Sequence, residues 1–355
     1  MSYKSNYKIK MGKIKLTQYS HGAGCGCKIA PAVLENILKS NVSSFSTKNL
    51  LVGNNTKDDA AVYDIGNGKA LISTVDFFMP IVDDAFDFGK IASANAISDV
   101  YAMGGKPILA TAILGWPVDK LPIELAQKVL DGAKTICNEA GIPLAGGHSI
   151  DTLEPMFGLS VNGLVDIKNL KQNSTAKNGD LIYITKKIGV GILATALKRD
   201  VIKEEHKEVL INQLTQLNKI GEGFGDLPYV TAMTDITGFG LLGHLIEMAE
   251  GAGLSAELNY LAVPIIDGLQ EYISKTIVPD NAYRNWNSFD KKVSGIGAES
   301  FFTLCDPQTN GGLMLTISPT HQKEFESFLS EHDLSAFTKP IGQLVSKTDI
   351  TVAIK

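Results

Sequence analysis

Two extended segments, residues 60–62 and 70–75, follow one another with no helix between them, and this constrains the fold most. The second ends on Asp76. Downstream the pattern alternates irregularly: helix 88–103, strand 108–114, helix 124–140, strand 157–165. Gly104-Gly105 and Gly141 close the two helices as glycine stops. Strict β–α alternation would wind a parallel sheet; strands in direct succession predict an α+β (mixed α/β) architecture instead. At 355 residues the chain exceeds one ordinary core and suits two domains of roughly 150 to 190 residues. The polar stretch 166–179 marks the boundary. This divides the chain into a segment 1–48 with a glycine-rich loop, an N-terminal domain 49–170 and a C-terminal α/β domain 171–355.

The second half reads as strand 181–184, helices 189–197, 205–220 and 241–250, and strand 254–258. A loop over 280–297 precedes strands 301–304 and 313–317, helix 321–330 and strands 341–345 and 351–354. Near the start, residues 30–38 carry apolar side chains at helical spacing.

Charge excludes one class of function. Residues 1–15 hold five lysines and no acid, which leaves 28 of the 33 basic side chains against all 38 acidic ones, a net of −10 on the body. So acidic a body has no basic face for nucleic acid, and the lysine arm reads as solvated. No apolar run approaches the ~20 residues of a membrane helix, and no signal-peptide core follows the lysines. Four dispersed cysteines point to reduced thiols and a cytoplasmic protein rather than a disulfide framework.

The chemistry-bearing stretch is His21-Gly22-Ala23-Gly24-Cys25-Gly26-Cys27-Lys28. Glycines free the backbone, and a cation beside a thiol favours the reactive thiolate. Cys-x-Cys is not the usual zinc spacing, and no later Cys/His pair completes a tetrahedron. Cys137 and Cys305 read as packed small hydrophobes, and His21 as a solvent-facing imidazole. Asp59, Asp76, Asp99 and Asp235 sit at strand ends or on glycine-flanked helices among small neighbours. Taken singly, each has a plain reading as a helix or turn cap. Taken together, they suit more than one Mg²⁺ on a nucleotide, because each such ion takes only one or two carboxylates. Asn95 and Asp99 lie four apart and share a helix face. Gly146-Gly147-His148-Ser149 and Gly238-Phe239-Gly240 read as glycine turns offering amides to phosphate. Gly189-Val190-Gly191 imitates a dinucleotide fingerprint, but no second strand ends in an acid about 20 residues on.

These pieces, with Leu16-Thr17-Gln18-Tyr19-Ser20, Thr56-Lys57-Asp58-Asp59, Asn95-Ala96-Ile97-Ser98-Asp99 and Asp306-Pro307-Gln308-Thr309-Asn310-Gly311-Gly312, resemble the selenophosphate synthetase (selenide, water dikinase) family. That family lies within the aminoimidazole ribonucleotide synthetase-like ATP-binding proteins. The resemblance runs from Leu16 to the C-terminus, and the Cys-Gly-Cys-Lys loop narrows it to the selenium enzymes. It implies a two-domain fold whose N-terminal domains pair into a β-barrel across a homodimer. It implies ATP, selenide and water as substrates, selenophosphate, AMP and phosphate as products, and Mg²⁺ and K⁺ as cofactors. Cys25 and Lys28 match catalytic positions, and Asp59, Asp99 and Asp235 match metal ligands. Lys28, Thr56, Lys57, Asp58, Asp76, Asp99, Gly147, His148 and Ser149 match nucleotide contacts. Asn310 departs from the commoner Ser, and the basic arm is an extension.

Two other readings keep part of the pattern. A purine-pathway synthetase of the wider family needs the aspartates but not the Cys loop. A thiol or metal carrier needs the loop but not the dispersed aspartates.

Overall fold

The computed structural model describes residues 14–29, 33–34, 37, 47–53 and 57–355, with Cys25 and Cys27 described by backbone alone. Thr56, the arm before Ile14 and most of the expected 30–38 helix lie outside the described residues. Val33, Leu34 and Ile37 of that helix are helical and exposed.

The first half builds a six-stranded sheet. Its strands are β1 (Leu50–Val52), β2 (Ala61–Gly66), β3 (Lys69–Phe78), β4 (Lys106–Trp116), β5 (Leu144–Asp151) and β6 (Met156–Asp166), in the order β1-β2-β3-β6-β4-β5. All neighbours are antiparallel except β4 and β5, so the sheet is mixed, as the strand succession predicted. Helices α1 (Ala85–Ala102) and α2 (Ile123–Ala140) cover one face. Along β3, Ala70, Ile72 and Phe78 turn inward, whereas Val75 and Phe77 turn outward and are exposed. Period-two alternation divides the faces in this way.

Helix α1 is the shared element of the molecule. Asp84 caps its first turn by accepting from the Phe86 and Asp87 amides. Its small residues Ala92, Ser93, Ala94, Ala96 and Ser98 are all fully buried. Such a helix can be enclosed on every side. β3 and β6 lie against it on one side, and elements of the second half on another. Against α2 the approach is closer still. A Cβ on Gly89 would stand 1.9 Å from the Val129 carbonyl oxygen, and one on Gly132 2.0 Å from that of Phe86. Gly104, at φ +71°, then ends α1 as expected.

The second half builds a seven-stranded sheet in the order β10-β13-β9-β12-β7-β11-β8. In chain order it contains β7 (Leu181–Ile184), α3 (Val190–Lys198), α4 (Glu204–Thr215), α5 (Ile220–Gly225), β8 (Val230–Asp235), α6 (Gly240–Gly251) and β9 (Ser255–Leu258). There follow α7 (Gln270–Ile273), α8 (Asp280–Phe289), β10 (Val293–Ser294), α9 (Ala298–Leu304), β11 (Leu313–Ile317), α10 (Gln322–Glu331), β12 (Gly342–Val345) and β13 (Val352–Ile354).

Four local readings change. Residues 301–304 are the end of helix α9, not a strand. Ser300 caps that helix through the Gly297 amide, and Phe301 packs on Trp286 and Tyr283. The 280–297 stretch holds helix α8 rather than a loop, with Ala282, Asn285 and Phe289 buried along one face. The 205–220 helix stops at Thr215, and a separate α5 begins at Ile220. Gly146 to Ser149 are not a turn: they lie inside strand β5 at the sheet edge, with Gly147 to Ser149 paired to β4. No helix among the described residues is long and apolar enough to cross a membrane.

Candidate nucleotide and metal site

Four aspartates, distant in sequence, meet against helix α1. Asp99 rises from α1, and Thr74 of β3 donates to its Oδ2 at 2.5 Å. Asp76, two residues along β3 on the same face, accepts from Asn95, one helical turn before Asp99. The shared face expected for Asn95 and Asp99 is the face turned toward β3. Asp235, the last residue of β8, accepts from Ser98 Oγ at 2.6 Å. Asp59 stands just before β2, and Thr234 donates to its Oδ1 at 2.8 Å. The donors placed on these acids are the hydroxyls of Thr74, Ser98 and Thr234 and the Asn95 amide.

Their electrostatics follow from that. Burial, then the charges of Asp235 and Asp99, push the Asp59 carboxyl well above the usual carboxylate range. Burial, then Asp235 and Asp76, do the same to Asp99. Burial raises Asp235 too, opposed chiefly by the Ser98 hydroxyl. Anionic groups this close raise one another unless a cation joins them. The buried Oδ2 of Asp59 has no hydrogen-bond partner among the described residues. Crowded acids and an orphaned oxygen fit hard divalent ions. Among the described residues, no three His, Cys, Asp or Glu side chains stand close enough to hold an ion alone. The donor set therefore suits Mg²⁺ shared with the oxygens of another anion rather than caged by protein.

The Cys-bearing loop arrives over this cluster. Leu16 is fully buried, Thr17 binds Asp83, and the Gly24 amide donates to the Met79 carbonyl at 3.1 Å. Gly24 sits at φ +52°, and a Cβ there would meet Thr309 and Ile81 at 2.6 and 2.7 Å. Residues Gly24–Cys27 form one 3₁₀ turn. Gly24 and Lys28 share a cavity with Asp76, Phe78 and Met156, and the Lys28 charge favours the ionised forms of Asp99 and Asp235. Outside the turn, the exposed His21 imidazole meets Glu154 at 2.9 Å.

Other expected residues lie elsewhere. Asp58 accepts from the Asn173 amide at 2.7 Å, while Asn173 Nδ2 donates to the Lys57 carbonyl, so the 57–58 turn is tied to the linker. Lys57 takes a left-handed φ of +56° there. Gly147, His148 and Ser149 are exposed on β5. Asp76 pairs with Leu159, Leu159 with Ala112, and Ala112 with Gly147. Three strand spacings, about 14 Å, thus separate Gly147 from Asp76 in one chain.

The fingerprint-like Gly189-Val190-Gly191 has its amides filled. Gln308 Oε1 accepts from Gly189 and Val190 at 3.2 and 3.4 Å, and Asp306 Oδ2 accepts from Gly191 at 2.9 Å. A phosphate has no place there. Cys137 and Cys305 are buried, and burial pushes their thiols up to about 11 and about 12, as expected for packed side chains. At the Gly238 turn, His244 Nε2 accepts from the Thr237 amide at 3.1 Å.

Sequence reasoning missed the donors to the acids: Thr74, Ser98, Thr234 and, behind them, Asn218 and Asn310. Ser98 alone had a signal, three residues after Asn95 on the same helix face.

Residues 57–165 match the N-terminal domain of the AIR synthase related protein family, and residues 177–355 its C-terminal domain. A selenide, water dikinase of Aeromonas hydrophila subsp. hydrophila is 54% identical over 338 residues, 95% of this chain and 97% of that protein. One from Colwellia psychrerythraea is 54% identical, covering 97% and 99%. Among solved structures, thiamine-monophosphate kinase from Stenotrophomonas maltophilia K279a superposes with a TM-score of 0.64 at 20% identity, covering 87% of this chain and 92% of that one. The hydrogenase maturation protein HypE in complex with ATP does so at 0.64 and 16% identity, covering 84% and 85%. At such identities the likeness is one of fold.

Proposed function

The chain belongs to the selenide, water dikinase family of AIR synthase related proteins, and on that premise we propose that it makes selenophosphate from selenide, ATP and water, releasing AMP and phosphate. The observation that carries this reading is the meeting of Asp59, Asp76, Asp99 and Asp235 beneath the turn that bears Cys25 and Lys28.

Asp59, Asp99 and Asp235 would hold Mg²⁺, which when bound supplies positive charge to offset the triphosphate. The orphaned Asp59 Oδ2 and the mutual repulsion of these acids support that role. K⁺ belongs to the same proposal and rests on the resemblance. Lys28 adds a positive charge at the transferring phosphoryl group. Cys25 handles selenium, and the loop closes over the site to keep water from taking the phosphoryl first. Lys57 and Asp58, fixed by Asn173, would meet the nucleotide, and Thr56 joins them on the resemblance alone.

We carry residues 49–170 and 171–355 as the two domains, and the cytoplasm as the compartment. Tyr63, Ile65, Val75 and Phe77 form an exposed apolar stripe on the uncovered face of the first sheet. A second copy is its natural cover, so we propose a homodimer in which two such sheets close into a barrel. Residues 147–149, too far from Asp76 in one chain to touch the same phosphate, would then serve a nucleotide at the partner's site.

The test is ATP turnover with and without selenide. Selenide-dependent AMP is the expected product; ADP formation indifferent to selenide overturns the reading.

A further inference from the structure

Against helix α1 also packs the junction of α4 and α5. Asn218, 2% exposed, donates from Nδ2 to Ser98 Oγ and to the Gly311 carbonyl, both at 2.8 Å. Ser98 in turn donates to Asp235. One helical turn earlier the arrangement repeats. Asn310, fully buried at φ +46°, donates its amide N–H to Asn95 Oδ1 at 2.7 Å, and Asn95 donates to Asp76.

Asn310 is itself pinned. Its Nδ2 donates to the Leu214 and Gln216 carbonyls at 2.8 and 2.9 Å, and Lys186 Nζ donates to the Asn310 and Gln216 carbonyls at 2.9 and 2.8 Å. Those Nδ2 bonds fasten the last carbonyls of α4, groups a helix end otherwise leaves open. A serine side chain at this position would be too short to make both.

We propose that Asn310 and Asn218 are positioning residues of the nucleotide site, each setting one carboxylate through one side chain of α1: Asn310 through Asn95 to Asp76, and Asn218 through Ser98 to Asp235. The inference rests on the proposed ATP site. It makes the 214–218 junction, buried at Leu214 and Asn218, a determinant of how tightly ATP is held. A buried bond of this kind fixes a side chain's rotamer, and an acid one rotamer away does not meet the same ligand oxygen.

The test is a double-mutant cycle on the full chain, read as the Kd of a β,γ-methylene ATP analogue with Mg²⁺. Asn310→Ala should weaken binding about fivefold or more, a size common for directly coupled residues, and should add less than about twofold in an Asp76→Asn background. Asn218→Ala and Asp235→Asn should behave alike. Should Asn310→Ala fail to fold, Asn310→Ser goes through the same cycle. Additive losses, with Asp76→Asn itself weakening binding, overturn the relay while leaving the ATP site standing. An Asp76→Asn protein that binds the analogue like the wild type removes the ATP-site reading, and the relay with it.

Discussion

Two buried acidic centres of this molecule look alike in sequence and differ in kind. Asp306 follows a helix end and faces a glycine-rich turn; Asp235 follows a strand and precedes one. Asp306 is met by the Gly191 amide and by Gln308 Nε2 at 2.9 and 2.7 Å, donors fixed by the chain itself. Asp235 is met by one serine hydroxyl and by the charges of His244, Lys28 and Asp76, with no backbone donor to its carboxylate among the described residues. Donors within the chain fix Asp306 through Oδ2 while its Oδ1 stays unpartnered among the described residues, whereas the acids around Asp59 raise one another and gain from a cation.

Substitution should separate the two centres most sharply through activity. Asp59→Asn or Asp235→Asn should lower selenide-dependent AMP formation by about 100-fold or more, the scale of lost transition-state charge stabilisation, and raise the Mg²⁺ requirement. A Mg²⁺ titration superimposable on wild type would erase the distinction. Asp306→Ala should do the reverse. It strands the Gly191 amide and Gln308, costing about 2 to 4 kcal/mol of stability by denaturant unfolding, with ATP affinity nearly kept.

The pH dependence of stability sharpens the same contrast. Burial pushes Asp306 up to about 8 from an ordinary 3.8. Across that window the folded protein keeps a proton that the unfolded chain releases, so stability is greatest at low pH and falls as pH rises toward 8. Asp59 and Asp99, displaced in the same direction, steepen the fall. Mg²⁺ with the ATP analogue should flatten the share belonging to those two, and Asp306→Asn the remainder, when Tm is followed from about pH 5 to 8. The smallest effect belongs to the exposed pair outside the site. Glu154→Gln should change turnover by less than about twofold, since exposed ion pairs contribute little.

The acids were legible in the sequence because each stands among small or apolar residues at the end of an element, where a solvated charge is out of place. Their donors were not. Thr74 reads as an ordinary β-strand residue, the strand that carries Thr234 was not foreseen, and nothing local marks Asn218 or Asn310 as facing α1. That pairing exists because two segments about ninety residues apart pack on one helix. The glycines of β5 misled for a related reason. Gly146 and Gly147 do take positive φ, at +121° and +154°, but Gly146 falls at a shift in the β4–β5 register and Gly147 pairs with Ala112, so both belong to an extended edge rather than a turn. Residues 301–304 misled through composition, since aromatic residues suit strands by propensity yet here pack as one side of a short helix.

The reciprocal glycines that join α1 to α2 bear on how such a site must work. With no side-chain atom between Gly89 and the Val129 carbonyl, or between Gly132 and that of Phe86, the two rods are wedged backbone to backbone. Sliding or tilting one against the other would drive main chain into main chain. Asp99 and the residues that steady its neighbours therefore ride on an anvil whose two halves cannot shift without breaking main-chain contact.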